Sequence, residues 1–248
     1  MRIGTQTILE LELRIPRYGV AKGSVIADAA ELLTGTQTLI IGNLSLVGTV
    51  ERAAVVDGRA VYDWTAGAGG WGREITIARC YESSIGVLRN TVIAELAADL
   101  GETTRAEADD TRLPGKKYLR PLSTAERPIT GKDALYALGA LWWVAPDGAT
   151  VIGQRSGVEG TGDATFAGWA PDHGFVDLIP NDDDFLSWMP GNTYRGEVIE
   201  EVVILSNDGR ANLHLSMISA GDAADLGSSL RRMITGVVRG IDGAPWLL

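Results

Sequence analysis

The stretch from Gly58 to Gly101 constrains the fold more than any other part of this chain. It begins with an alternating run to Trp64, turns through Gly67-Ala68-Gly69-Gly70-Trp71-Gly72, continues through Glu74-Ile75-Thr76-Ile77, and ends in an amphipathic segment. This order predicts a strand, a tight glycine corner with Trp71 laid against it, a second strand and a docking helix over 87–100. Leu88, Val92, Leu96 and Leu100 recur at every fourth position, with Ile93 and Ala97 beside them, so one helix face is apolar. Asn90, Glu95 and Asp99 are expected on the solvent side, and Gly101 stands where a helix stops. Most of the remaining chain reads as strand and needs its inner faces buried, which makes this helix the expected cover.

Before that stretch, Leu9, Leu11, Leu13 and Ile15 alternate with Glu10, Glu12 and Arg14, predicting a half-buried strand that Pro16 ends. Ile26 to Leu33 fits either a short helix or an interrupted strand. Thr38 to Ile41 and Leu44 to Glu51 read as strands around a Gly42-Asn43 turn, and Ala53 to Val56 and Arg59 to Trp64 flank Asp57-Gly58, a strong hairpin signal. The segment Glu102 to Arg112 is acidic and nearly devoid of apolar residues, so a solvated loop is expected there. Tyr118 to Leu122 reads as a short strand. Thr130 opens a second helix over 131–141, with Asp133 placed to reach back to the cap. A hairpin follows, Leu141-Trp142-Trp143-Val144 and Ala149 to Ile152 around Pro146-Asp147-Gly148.

From Arg155 to Asp184, Phe166, Trp169 and Phe175 are the expected anchors in a loop-rich region. Tyr194 to Ser206 and Ala211 to Ile218 read as strands around Asn207-Asp208-Gly209, and a last strand is expected around Met233 to Val238. The sum is an α+β, mostly β protein: two small β-barrel or sandwich domains with two short amphipathic helices. The first domain would span 1–113 and the second 114–248, with the strands of 194–238 free to return to the first barrel.

Composition narrows the function. Thirty-one glycines in 248 residues are nearly double the usual share of roughly 7%, which suits many turns and bulges. A formal net charge of −10 repels phosphate backbones, arguing against sequence-independent nucleic-acid binding while suiting a conduit through which DNA passes without sticking. The single cysteine, Cys80, excludes an intramolecular disulfide and is expected to be a buried thiol. No secretory leader or bilayer-spanning apolar run is evident, so a soluble protein made in the cytosol is expected.

Gly67, Gly69 and Gly72 match the dinucleotide fingerprint G-x-G-x-x-G, but that motif needs a helix opening on its last glycine, and here a strand pattern follows. His173 and His214 lack metal-ligand partners at helical or hairpin spacing, and no nucleophile elbow occurs. Asp182, Asp183 and Asp184 form the sharpest acidic cluster; the bland reading is a solvated turn, the alternatives an ion site or the acids of a glycoside hydrolase. Of Trp142 and Trp143, adjacent on a strand, one must point inward; the outward one is a candidate subunit contact or a sugar-stacking platform.

Three runs together carry a resemblance. They are Gly58-Arg59-Ala60-Val61 to Gly67-Ala68-Gly69-Gly70-Trp71 with Tyr81, Gly86-Val87 and the helix to Gly101-Glu102; the helix-to-hairpin unit ending Leu141 to Gly153; and Pro190-Gly191-Asn192-Thr193 to Gly196-Glu197-Val198. Over about two-thirds of its length the chain resembles phage tail baseplate hub proteins, related in architecture to the type VI secretion spike. The resemblance implies a structural virion protein of the tail baseplate, made in the host cytoplasm, with no catalysis and no cofactor. Copies would form a ring, a trimer, at the distal end of the tail tube, contacting tube and distal tail proteins above and a central spike or tip below. DNA would pass without specific binding, and no membrane insertion is implied. The chain is shorter than the larger hubs, so the likeness does not extend to a fused spike, peptidase or lysozyme domain. The alternatives that the residues leave open are a glycan-binding module of a tail tip or receptor-binding protein and an acidic glycoside hydrolase.

Overall fold

The N-terminal alternation becomes the long strand around which the sheet is built. A computed structural model describes residues 1–106, 111–170, 174–207 and 210–219. Strand β1 (Arg2–Ile3) is followed by β2 (Gln6–Pro16), whose Leu11, Leu13 and Ile15 are buried, and by β3 (Lys22–Ala27), which resolves the helix-or-strand ambiguity at Ile26. Next come β4 (Gly35–Ile41), β5 (Leu44–Val56) and β6 (Arg59–Ala66). The β5–β6 turn has positive φ at both Asp57 and Gly58, the backbone that lets two twisted strands meet through two residues. Pairing runs β1-β4-β5-β6-β3-β2 and returns to β1, which closes a six-stranded antiparallel barrel. Closure runs through Arg2 and Ile3 alone, so the rest of that edge of β2 stays open to a later strand.

From the end of β6 the chain leaves the barrel for the glycine corner, where a single 3-10 turn spans Gly70–Gly72. The strand expected over Glu74 to Ile77 is not formed: the segment joins no ladder, making an isolated bridge of Glu74 with Thr130 and single backbone hydrogen bonds of Ile75 with Ile129 and Ser123. The second strand starts later, as β7 (Arg79–Glu82), and its partner is β9 (Lys117–Arg120) in a separate two-stranded ribbon. Helix α1 (Arg89–Leu100) buries Val92, Ile93, Leu96, Ala97 and Leu100 and ends at Gly101 in left-handed geometry, as the spacing predicts. It packs on α2 (Gly131–Ala137), on the corner and on β8 (Thr104–Ala106), not chiefly across the barrel. Asp99 does not face solvent; two arginines hold it.

Two further expectations change. Part of the acidic loop is the strand β8, which pairs in parallel with β11 (Thr150–Ile152), itself the antiparallel partner of β10 (Trp142–Val144). Helix α2 stops well short of residue 141, because Gly139 adopts a φ of 64° and the Gly139 N–H bonds back to the Tyr136 carbonyl. Its start is as expected: the Thr130 N–H donates to Asp133 Oδ2 at 2.9 Å.

The chain then returns to the sheet. Strands β12 (Ala164–Ala170), β13 (Phe175–Pro180), β14 (Thr193–Tyr194), β15 (Glu197–Asn207) and β16 (Arg210–Ser219) extend the barrel wall in the order β2-β15-β16-β13-β12, with β14 beside β15. The link is the ladder from Glu201–Pro16 to Asn207–Glu10. Leu213, Leu215 and Met217 point into the core together with Val202 and Ile204. Phe166 is exposed and so is not the anchor expected of it, while Phe175 is half-buried against the His214 ring. The strand expected around Met233 to Val238, together with His173, lies outside the described residues. The class is the one expected, mostly β with two short helices.

Candidate functional site

The glycine corner is built around a carboxylate. Gly67 and Gly69 both have positive φ, at 79° and 75°, a backbone that turns successive N–H groups toward one point. Glu102 occupies that point. Its Oε1 accepts from the Gly70 N–H at 2.6 Å and its Oε2 from the Ala68 N–H at 3.2 Å. The side chain reaches the corner because Gly101 ends α1 beside it and the Glu102 N–H bonds back to the Ala97 carbonyl at 2.8 Å. Glu102 is only 6% exposed, so the acidic segment begins with a buried structural anion and not a solvated one. The amides that a nucleotide phosphate would need are thus taken by a carboxylate of the same chain.

Trp71 closes the corner on its other side. It is 1% exposed, its Nε1–H donates to Thr150 Oγ1 at 2.7 Å, and its ring lies 5.5 Å from that of Trp142. A Cβ on Gly131 would fall 2.3 Å from Leu100 Cδ1 and 3.0 Å from the Trp71 ring, so α2 approaches this closely only with glycine there. Gly72 is exposed at the end of the turn. A cleft of about 270 Å³ opens beside the corner, with Tyr18, Lys22, Glu51, Lys132 and Tyr136 among its lining. Lys22 and Lys132 are offset by Glu51 and Glu102 in its lining, which gives it no single electrostatic character.

Trp142 is the inward member of the aromatic pair, 1% exposed. Trp143 is half-buried, and one face of its ring is covered by the Arg155 guanidinium, 4.5 Å from the centroid. That contact occupies a surface on which a sugar would stack. Arg155 is itself buried, with Nη1 donating to the Pro16 carbonyl, and desolvation together with the neighbouring Arg17 brings its pKa down to about 10. Arg17, also buried, pairs with Glu200 at 2.5 Å and donates through Nε to the Arg155 carbonyl. This strap ties the start of the β2–β3 connection to the strand that extends the barrel.

The three aspartates serve a turn. Asp184 accepts from Asn43 Nδ2 at 2.8 Å and from the Ser187 hydroxyl, and Asn43 Oδ1 in turn accepts the Phe185 N–H at 2.8 Å. The Ser187 and Asn43 hydrogen bonds hold the Asp184 carboxyl below the usual carboxylate range. Asp182 Oδ1 accepts the Asp184 N–H, and Asp183 is exposed. Among the described residues no three acidic, histidine or cysteine side chains converge as a metal site would require. His214 pairs with Asp177 at 2.6 Å on the sheet surface.

Cys80, expected to be buried, is exposed, because the face of the β7–β9 ribbon that carries it points away from α1. The inner face carries Tyr81, Tyr118 and Arg120, with Tyr118 pushed up to about 12 by burial. The Arg120 guanidinium donates to Asp99 at 2.5 Å and to the Ile77 carbonyl, and Arg79 clasps Asp99 through Nε and Nη2. Neither Glu102 nor this arginine pair stood out in the sequence. The available signal was the corner itself, since a glycine run that opens no helix still turns amides inward, here those of Ala68 and Gly70, and they need an acceptor from the chain.

The fold recurs in solved structures. The chain superposes on the 43 kDa tail protein of prophage MuSo2 from Shewanella oneidensis with a TM-score of 0.59 and 10% identity, covering 90% of this chain and 97% of that one. It matches an Escherichia coli component of the type VI secretion system, described as structurally similar to the T4 bacteriophage tail proteins gp27 and gp5, with a TM-score of 0.59 and 10% identity over 90% of this chain and 78% of that one. A tail protein from Neisseria meningitidis MC58 matches with a TM-score of 0.58 and 10% identity over 89% and 95%. No protein-family model and no curated protein sequence matches. The fold is therefore that of phage tail proteins and of a type VI secretion component, at a sequence distance that hides it. No helix among the described residues is long and apolar enough to cross a membrane.

Proposed function

We propose that this chain is a structural component of a phage-type tail, a baseplate hub at the distal end of the tube that joins it to a central spike or tip and forms part of the DNA conduit. The carrying observation is the match over 90% of the chain to a prophage tail protein and to a type VI secretion component with likeness to T4 tail proteins. The interior supports a scaffold. The conspicuous sequence motif, the glycine corner, holds Glu102 and Trp71 in place, and the Asp182–Asp184 cluster caps a turn. In this reading the protein is not an enzyme. Copies join in a homotrimeric ring that presents a tube-facing surface. A net charge of −10 lets DNA through without retaining it. Light scattering on the purified protein, with class averages of the same sample, is the test. A ring of three with no affinity on a glycan array is the expected result; a strict monomer that binds sugar would replace this reading with that of a tail-tip lectin.

A further inference from the structure

Three arginines are buried among the described residues, and two of them hold a carboxylate. Arg17 pairs with Glu200 at 2.5 Å, and Arg120 pairs with Asp99 at 2.5 Å. Arg155 is 7% exposed and meets no acid among the described residues. Its Nη1 donates to the Pro16 carbonyl at 3.2 Å, while Nε and Nη2 bond to no described residue and are not sealed from solvent. That side-on edge is the one with which Arg79 clasps both oxygens of Asp99, at 3.0 and 2.7 Å. The Trp143 Nε1–H, on the ring against which Arg155 stacks, has no acceptor among the described residues either.

The fold holds this guanidinium in one place. The Trp143 ring covers one face, and a Cβ on Gly191, whose φ is 91°, would fall 3.1 Å from Arg155 Cγ, so the 190–192 loop closes on the stem. The Arg155 carbonyl accepts from Arg17 Nε at 3.1 Å, which ties the two arginines together. A charge taken out of water is unfavourable unless an opposite charge replaces the water. Glu200 supplies that for Arg17, so the cluster of Arg17, Arg155 and Glu200 keeps one formal positive charge. A single carboxylate neutralises it, and a planar guanidinium with its side-on edge free matches the two oxygens of that group.

We propose that Arg155 receives an aspartate or glutamate carboxylate from a second copy of this chain, bound side-on through Nε and Nη2 beside Trp143. Each copy carries 32 acidic residues against 22 lysines and arginines, so a neighbouring copy brings carboxylates in excess, while the same balance repels a phosphate backbone. The proposal rests on the self-assembling hub reading, and it sets Trp143, the outward aromatic, at the boundary between copies.

The test uses the full chain. Arg155→Lys puts an amine at the site, and a carbodiimide joins that amine to a carboxylate lying against it. Isotopically light Arg155→Lys protein, assembled with an excess of heavy wild type, is expected to give a light peptide carrying position 155 coupled to a heavy peptide through Asp or Glu, as mass spectrometry would read. Arg155→Met keeps the stem against Gly191 and Trp143 but removes the charge. Its assembly, followed by light scattering, should need about tenfold more protein than wild type, with an unchanged circular dichroism spectrum. Replacing the identified acid by arginine together with Arg155→Glu should restore assembly, which a defect of folding would not. A monomeric wild-type chain overturns the hub reading and this contact with it. Wild-type rings in which position 155 couples only within its own chain, or couples to nothing, overturn this contact alone, as does an Arg155→Met protein that assembles like wild type.

Discussion

A single buried carboxylate organises the corner, and its removal has a calculable cost. With Glu102→Ala the Gly70 and Ala68 N–H groups lose their acceptor in a site that the Trp71 side closes. Leaving a buried donor unpaired costs about 1–3 kcal/mol, so the urea midpoint should fall with the slope unchanged. Glu102→Gln keeps one oxygen and should lose clearly less. A Glu102→Ala protein as stable as wild type would mean that water satisfies these amides, and that the carboxylate is incidental to the turn. The residue was hidden in the sequence for a physical reason. Acids after a helix are usually solvated, and only the three-dimensional return of 101–102 to the corner sets this one apart. Trp71 was legible because a large aromatic among glycines has one efficient use, filling the space their missing side chains leave.

Elements whose identity rests on local periodicity were legible, and those that depend on a distant partner were not. Helix α1 follows from its every-fourth-residue stripe, and the β5–β6 turn from Asp57-Gly58. By contrast Glu74 to Ile77 alternates like a strand yet finds no neighbouring ladder, and the acid-rich Thr104–Ala106 becomes a strand because β11 lies open beside it. The ribbon shows how such a borrowed element is held. The Arg79 hydrogen bonds first, then that of Arg120, keep the Asp99 carboxyl below the usual carboxylate range. A group whose folded pKa is depressed stabilises above its unfolded value of about 3.9, and that contribution is lost as pH falls through the lower folded value. Ribbon docking in wild-type protein should therefore weaken below about pH 4, seen as faster amide exchange over residues 79–82 and 117–120. Asp99→Asn should cost about 1–3 kcal/mol near neutrality, because Arg120 stays buried with a neutral partner, and its ribbon exchange should no longer respond in that acid window. Asp184 is depressed too, so the difference between variant and wild type, not the absolute acid sensitivity, isolates the Asp99 contact. Parallel acid profiles for the two proteins would show that the ribbon is held by its tyrosines and not by this ion pair.

At the scale of the molecule, the order of the sheet is the property least visible in sequence. The alternation of β2 says that one face is buried but not that its two edges are claimed by β3 and by β15, nearly two hundred residues away. Nor does it say that the two-residue β1 lies between β2 and β4 and closes the barrel. Pairings of that separation are decided by which arrangement buries every apolar face at once, a condition on the whole chain and not on any segment. If closure matters, its contribution can be separated from simple burial. Ile3 is fully buried, so Ile3→Ala should cost about 2–5 kcal/mol through the cavity alone. Replacing both Arg2 and Ile3 by proline removes the same side chain and also the N–H groups available to the ladders with β2 and β4. The double-proline protein should therefore unfold at lower urea than Ile3→Ala and should aggregate on concentration, since β4 and β2 would each expose an edge able to pair with another chain. Equal midpoints and equal solubility for the two variants would mean that the wall behaves as an open, curved sheet, with its N-terminal strand contributing a side chain and nothing more.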